Sequence, residues 1–471
     1  MSGLPPAHYF HSDARDPLED RLATLALRPD PPSGVTIALV VPPSPQEPTP
    51  GREFLISGPF EGFTAVATLL RRLGHEVRVL DCRRKADPVT EVLAGVDGAA
   101  LVGLATYCDS FAFLEEACAA IKAAHPRLPV LLGGPLVSSV PEVVLGNTAA
   151  DYAVLGEAEL TLIDVLERLL GGSLREPDKV RGLAWKDGRG VHLNPPRPQI
   201  KDLDHLPFLD YSIWPNERAI VEAGQIMIST TRGCPMRCSF CFKTIPQFRE
   251  KSLSRVQEEL AFLRERTGFS YTWLNDLNFN LHQRRAMALC ELMKQHGLTY
   301  HVFGRVSNVK PELMQALEKS GCVGIWFGIE SYEQAILDLN RKQINVAMIN
   351  SAVNTALAAG LAVRGLFIIG LPGETEAALE HMVAYIRATP FLPLCKYLVP
   401  FPGTSIYEHA VAAGRIADPL TFLRFLSKRV VGDHEDDIIN LTDLPEEVLR
   451  RTFHEIWELT RQREQLPQYR R

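Results

Sequence analysis

The sequence predicts an α/β protein made of two successive series of parallel strands, and three observations carry that prediction. Apolar runs of strand length alternate with helix-spaced segments twice along the chain. A polar, proline-bearing stretch separates the two series, and 471 residues exceed what one ordinary core accommodates. With 46% hydrophobic and 23% charged residues the composition is that of a soluble globular protein. A net charge of -6 gives no basic footprint for a phosphate backbone, so nucleic acid is excluded as a partner.

Taken in order, residues 1–33 are proline-rich, without periodicity, and read as a loosely held leader. They contain no basic segment followed by an apolar run. No later segment has the length of a bilayer span, so the expectation is a cytoplasmic protein without a membrane partner. The runs at 35–42, 76–82, 99–106, 129–134 and 151–156 read as buried parallel strands. GFTAVATLLRRLG and SFAFLEEACAAIKAAHP between them carry helical spacing. Residues 34–175 are therefore expected to form a doubly wound, Rossmann-like domain. Residues 176–222, with WKDGRGVHLNPPRPQIKDLDHLPFLDYS, read as a linker. The alternation restarts at QIMIST (225–230) and continues through 270–276, 299–305, 323–330, 361–370 and 395–401. Six such units suit a partial (βα)6 barrel over 223–418, with its chemistry at the carboxyl ends of the strands. The last segment, 419–471, is expected to be helical, with Leu449, Phe453, Ile456 and Trp457 on one face and Thr442 or Asp443 as the cap.

Of the nine cysteines, Cys82, Cys108, Cys118, Cys290, Cys322 and Cys395 stand alone in apolar stretches and read as small core residues. The other three, Cys234, Cys238 and Cys241, share RGCPMRCSFC directly after the first barrel strand. Structural zinc is four-coordinate, and this loop offers three thiolates. An iron–sulfur cubane held by three thiolates leaves one iron open to another ligand.

Cys234, Cys238 and Cys241, with Phe240 before the last, resemble the CxxxCxΦC signature of radical S-adenosylmethionine enzymes. The resemblance implies a [4Fe–4S] cluster whose open iron chelates S-adenosylmethionine. It also implies reductive cleavage to a 5′-deoxyadenosyl radical, fed by an electron donor such as flavodoxin or ferredoxin. It spans about 225–415. Asn275, Asp276 and Asn278 fall where the family binds the methionine amino group, and Arg305 where it binds the carboxylate. Glu330 and Ser331, in GIES, match the segment near the ribose, and Ile369 and Gly370, in GLFIIGLPGE, the segment along the adenine. PFPGT (400–404) is a further landmark. Each has a plainer reading. Asp276 and Asn278 could cap a helix, Glu330 could pair with a lysine, Arg305 could be a surface cation, the LPGE glycines could make a turn, and Phe240 could be packing. Their order at successive strand ends favours the cofactor.

GHEVRVLDC, LLGGP and GEAE (156–159) resemble the amino-terminal domain of the cobalamin-associated radical subclass. No Asp-x-His-x-x-Gly marks an axial histidine, and Tyr107-Cys108-Asp109 stands where the corrinoid would lie, so occupancy by cobalamin is left open. Over its full length the chain resembles radical dehydratases that deoxygenate aminosugars such as paromamine in aminoglycoside antibiotic biosynthesis. That resemblance implies a small-molecule lyase served by a separate reductase, with Asp433, Glu435, Asp436 and Asp437 as a candidate seat for a cationic sugar. The alternative is a cobalamin-dependent radical C-methyltransferase of natural-product biosynthesis, and a third reading is a non-catalytic electron-transfer protein. The sequence marks no catalytic acid or base.

Overall fold

A computed structural model describes residues 15–26, 34–44, 58–170, 173–242, 245–428 and 438–469. The acidic run Asp433–Asp437 and most of the tip after the first strand lie outside them. Contacts divide the chain into two units. One comprises Met1–Ile220, Lys243–Arg255 and Asp418–Val430, and the other Val221–Phe242, Val256–Ala417 and Val431–Arg471.

In the first unit, strands β1 (Thr36–Val41), β2 (Glu76–Asp81), β3 (Leu101–Ala105), β4 (Val130–Gly133) and β5 (Tyr152–Val154) are all parallel. Their order is 2-1-3-4-5, extended by β6 (Leu183–Asp187) and β7 (Gly190–Leu193), which run antiparallel. TIALVV is buried along nearly its whole length because helices cover both faces. The order reverses between β1 and β3, and in open α/β sheets the ligand crevice lies outside the carboxyl ends at that reversal.

Two expectations fail here. The stretch read as a linker supplies β6 and β7, a hairpin edge whose AWKD and GVHL strands are half polar and so lack a buried-strand signature. The leader holds helix α1 (Glu19–Ala26), whose Leu22 is fully buried with Leu69, Leu160 and Ile163, and Asp16 ahead of it bonds Arg197 at 2.8 Å. A short amphipathic helix flanked by prolines gives too brief a periodicity to read.

The second unit is a sheet of parallel strands in sequence order: β8 (Met227–Ile228), β9 (Tyr271–Leu274), β10 (Thr299–Gly304), β11 (Cys322–Glu330), β12 (Ala362–Ile369) and β13 (Leu392–Tyr397). It is the partial barrel expected, with β13 starting three residues before the anticipated 395. On β12, Phe367 stacks against Phe391, which also meets Tyr385 of helix α2 (Glu376–Ala388). Helices thus cover the odd-numbered side of β12. Side chains alternate across a strand, so Arg364, Leu366 and Ile368 face the concave side. Register carries that inner face through Trp273, His301, Phe303 and Trp326, whose rings touch one another.

Helix α3 (Glu446–Glu464) buries Leu449, Phe453 and Ile456 as its spacing predicts, and its contacts fall on β13 and α2. Its cap is Pro445; Thr442 instead accepts the Leu444 N–H, so neither Thr442 nor Asp443 caps it. The 419–428 portion of the expected carboxyl-terminal segment clusters with the first unit, where Arg424 pairs with Glu115 at 2.7 Å. Among the described residues no helix is long and apolar enough to cross a membrane.

Candidate cluster and cofactor site

The cysteine loop leaves the carboxyl side of β8, where the chain turns at Thr230 and Thr231. Both of those amides donate to Asp276 Oδ1, at 2.7 and 2.8 Å, and the Thr230 hydroxyl donates to Oδ2 at 2.6 Å. Asp276 is fully buried, and burial pushes its pKa up against the pull of these hydrogen bonds. The structure therefore uses Asp276 to anchor the entry to the cysteine loop, whereas the sequence placed it beside the methionine amino group. Asn278 fits that earlier role better. It is 4% exposed, and its Oδ1 has no partner among the described residues. The Asn275 carbonyl accepts from the Ser229 hydroxyl.

Cys234 and Cys238 are half-buried and Cys241 is exposed. Between the last two, Ser239 is held twice by Asn340, through its N–H on the Asn340 carbonyl (3.1 Å) and its hydroxyl on Asn340 Oδ1 (3.0 Å). Phe240 packs with Ile336, Leu371, Leu398 and Ile406, so the packing reading is realised for its ring. Among the described residues no group of three His, Cys, Asp or Glu side chains is gathered to hold a single metal ion. The donor set suits a cubane, since its three thiolates bond three different irons and need not converge on one ion.

At the ends of β10 and β11 the expected residues meet one the sequence did not mark. The Glu330 carboxylate accepts from Lys342 Nζ at 2.8 Å, both groups buried, and the Arg305 guanidinium donates to the Lys342 carbonyl. Lys342 Nζ lies 5.7 Å from the centre of the Phe240 ring. The lysine is flanked by left-handed Arg341 (φ 53°) and Gln343 (φ 55°), and Glu330 itself has φ 65° beside a register shift in the β11–β12 ladder. Non-glycine residues in this region carry strain that only a well-determined surrounding maintains, and such strain gathers at functional sites. A Cβ on Gly328 would stand 2.6 Å from Glu330 Oε1 and 2.9 Å from Lys342 Nζ, so the pair sits where only glycine fits beneath it. Asn280 is a second unmarked residue. It is fully buried, accepts the Arg305 N–H at 2.7 Å and donates to the Arg305 carbonyl at 2.8 Å. Neither Lys342 nor Asn280 belongs to a quoted motif; a lysine and an asparagine in otherwise ordinary loops give no signal by themselves.

On the remaining segments, the Ser331 hydroxyl accepts the Glu333 N–H. Ile369 is wholly buried with its carbonyl committed to the Leu398 N–H, and Ile368 is the neighbour on the inner face. Gly370 (φ 93°) donates its N–H to Glu374 Oε2 at 2.7 Å, and burial pushes the Glu374 carboxyl up to about 8. In the other unit, Tyr107 follows β3 at the sheet's reversal, with its ring 4.4 Å from Phe60, and burial raises the pKa of Tyr107, Cys108 and Asp109. The Phe60 and Tyr107 rings, tilted by 32°, would give a corrinoid an apolar contact there. The described histidines of this unit, His75, His125, His192 and His205, are not on the loops that follow β1 or β3. A cleft of about 690 Å³ lined by Val35, His75 and Arg127 opens at the opposite, amino-terminal edge and is not the site of this chemistry.

Residues 228–386 match the model of the Radical SAM superfamily, and residues 59–166 that of the B12 binding domain. An uncharacterized methyltransferase of Pyrococcus horikoshii is 29% identical over 388 residues, covering 80% of this chain and 83% of that protein. The cytidylyl-2-hydroxyethylphosphonate methyltransferase of Streptomyces wedmorensis is 24% identical over 424 residues, 76% of this chain and 78% of that one. Among solved structures, the radical S-adenosylmethionine methyltransferase TsrM of Kitasatospora setae, with cobalamin and a [4Fe–4S] cluster bound, superposes with a TM-score of 0.70 at 18% identity over 91% of each chain.

Proposed function

We propose that this radical S-adenosylmethionine enzyme, with its amino-terminal B12-binding domain, transfers a methyl group to an unactivated carbon of a small molecule. The observation that supports this reading is the union of the two domain matches in one chain, together with methyltransferase relatives that align over more than three quarters of it. Deoxygenation of an aminosugar, expected from the sequence, has no counterpart among those relatives.

When bound, the cluster, the corrinoid and two molecules of S-adenosylmethionine would supply hydrogen abstraction and methyl donation, with 5′-deoxyadenosine, methionine and S-adenosylhomocysteine as by-products and two electrons drawn from an external donor of the flavodoxin or ferredoxin kind. The protein's part is placement. Cys234, Cys238 and Cys241 would hold three irons; Asp276 and Asn340 fix the two ends of their loop. Asn278, Arg305 and Glu330 would meet the methionine and ribose groups. Lys342 holds the Glu330 carboxylate in place through the 2.8 Å hydrogen bond from its Nζ.

The test is the protein reconstituted with iron and sulfide under strictly anaerobic conditions, given a reductant and S-adenosylmethionine labelled in its methyl group. Methyl transfer requires S-adenosylhomocysteine that forms only when cobalamin is present, and label retained with the corrinoid. 5′-Deoxyadenosine without S-adenosylhomocysteine, indifferent to cobalamin, would return the protein to the dehydratase reading.

A further inference from the structure

The inner face of the barrel has a charge pattern that the cofactor residues do not explain. Below the cofactor level lies a floor of rings: Trp273 and His301 stack at 4.8 Å, and Trp326 meets Trp273 and Phe303 edge-on at 5.3 and 5.8 Å. Arg364, 6% exposed, lies 5.2 Å from the centre of the Trp326 ring. Its hydrogen-bond partner is His301 Nε2 at 3.2 Å. Burial, assisted by the Arg364 charge, pushes the His301 pKa down to about 3, so the imidazole is neutral. Since an arginine only donates, Nε2 accepts, and the Nδ1–H donates to the Tyr271 hydroxyl at 2.5 Å. Among the described residues no carboxylate pairs with Arg364; Glu464 acts on it only from a distance. Beside it the Trp326 indole N–H, on a side chain 8% exposed, has no acceptor.

A buried cation without an anion and a buried donor without an acceptor are each costly, and native structures rarely retain both side by side without a reason. The walls above the floor are apolar, with half-buried Leu366 and Leu394 on inner positions of β12 and β13. Among the described strand residues of the inner face the one carboxylate is Glu330, and Lys342 already pairs with it. Such a lining repels a polycation and has two donors waiting for an anionic acceptor.

We propose that the inner face of the barrel receives a substrate with a flat, apolar body ending in an acid group, the acid being taken by the Trp326 indole N–H and the Arg364 guanidinium. This rests on the barrel being where the radical reaction occurs. Four residue steps along β11 carry Trp326 to Glu330, about 13 Å of rise. A bicyclic acid lying along the strands therefore spans from the floor toward the cofactor level and offers its far carbon there.

Equilibrium dialysis of the full-length, cluster-reconstituted protein tests this with 2-naphthoate, 2-naphthamide and paromamine as probes, without S-adenosylmethionine or cobalamin. The acid is expected to bind saturably and at least about tenfold more tightly than the amide, the usual worth of a charge-assisted hydrogen bond. Arg364→Met should remove that preference and leave amide binding within about twofold, whereas Arg364→Lys should retain it. Trp326→Phe, which keeps the ring and deletes the N–H, should weaken the acid alone. Paromamine should neither bind nor displace it. Equal binding of acid and amide, an Arg364→Met variant that keeps the preference, or absence of binding by any probe overturns the proposal. Because the readout uses neither cofactor turnover nor methyl transfer, the fate of the methyltransferase reading is decided separately.

Discussion

The two units bury charge in opposite ways. In the first, opposite charges meet: Arg197 bonds Asp16 at 2.8 Å and Asp164 at 2.7 Å, Arg249 grips both oxygens of Glu157, and Arg83 both of Asp81. Each pair ties together segments of chain or braces a strand end. In the barrel, Arg364 leans on a neutral imidazole and rings, while Asp276 is held by backbone and hydroxyl donors. Lys342–Glu330 is the exception, and it stands at the carboxyl end of β11. Charges cancelled in place serve the fold; charges solvated by fixed neutral dipoles keep their field for a ligand.

The largest effect expected is loss of the cluster. Cys238→Ala removes one of three thiolates, and iron and sulfide content together with all 5′-deoxyadenosine formation should vanish. Retained iron and activity would remove the site from this loop. Lys342→Met should leave the cluster's absorbance intact yet weaken S-adenosylmethionine binding on the order of tenfold, because Glu330 loses its counter-charge. Unchanged affinity would make the lysine only a packing residue.

Stability measurements sharpen the comparison directly. Arg197→Met strands Asp16 without a cation in a buried place and leaves Asp164 to Arg168 alone, and should cost about 3–5 kcal/mol in denaturant unfolding. Arg364→Met removes a buried cation that no carboxylate needs, so its cost should be below about 1 kcal/mol, with stabilisation a permitted outcome. If both substitutions cost the same, the distinction between the units fails.

How much of this was legible depended on whether burial left a mark in the pattern. The parallel strands were readable because runs such as TIALVV and LFII are apolar on both faces. The cysteine loop and the strand-end residues were readable from spacing and order. The β6–β7 hairpin was hidden because an edge hairpin needs few apolar residues, and α1 because eight residues make barely two turns. Lys342 acts through its backbone carbonyl and through a neighbour twelve residues away, relations that exist only after folding. Arg364 did leave a trace, a charge inside the apolar run LAVRGLFIIG, and a charge so placed is rarely buried without a task.

A pH profile probes the carboxyl that the barrel keeps without a cation. The Glu374 pKa lies at about 8 in the folded chain against 4.5 for an ordinary glutamate, so the folded state holds a proton that the unfolded state releases between those values. Stability should therefore fall as pH rises across that window, by up to about 1.4 kcal/mol per pH unit, and level off above it. Glu374→Gln keeps an acceptor for the Gly370 N–H and should flatten that component of the curve. A slope that survives the substitution would assign the titration to another group.

The smallest effect is expected where a cysteine is only a core atom. Cys290 lies on the helix Gln283–Gln295, 2% exposed, and burial raises its pKa despite hydrogen bonds toward Tyr300 and Ser320, so its thiol is inert at neutral pH. Cys290→Ala deletes one sulfur from a packed site and should cost about 1 kcal/mol, read as a small downward shift of the unfolding midpoint. Iron content and 5′-deoxyadenosine yield should match the parent, since this thiol belongs to the helix layer outside the barrel and not to the cluster loop. The measurement that matters is iron per chain beside the midpoint. A fall in iron without a fall in stability would mean that a fourth cysteine contributes to the cluster, and then no iron would remain open for S-adenosylmethionine.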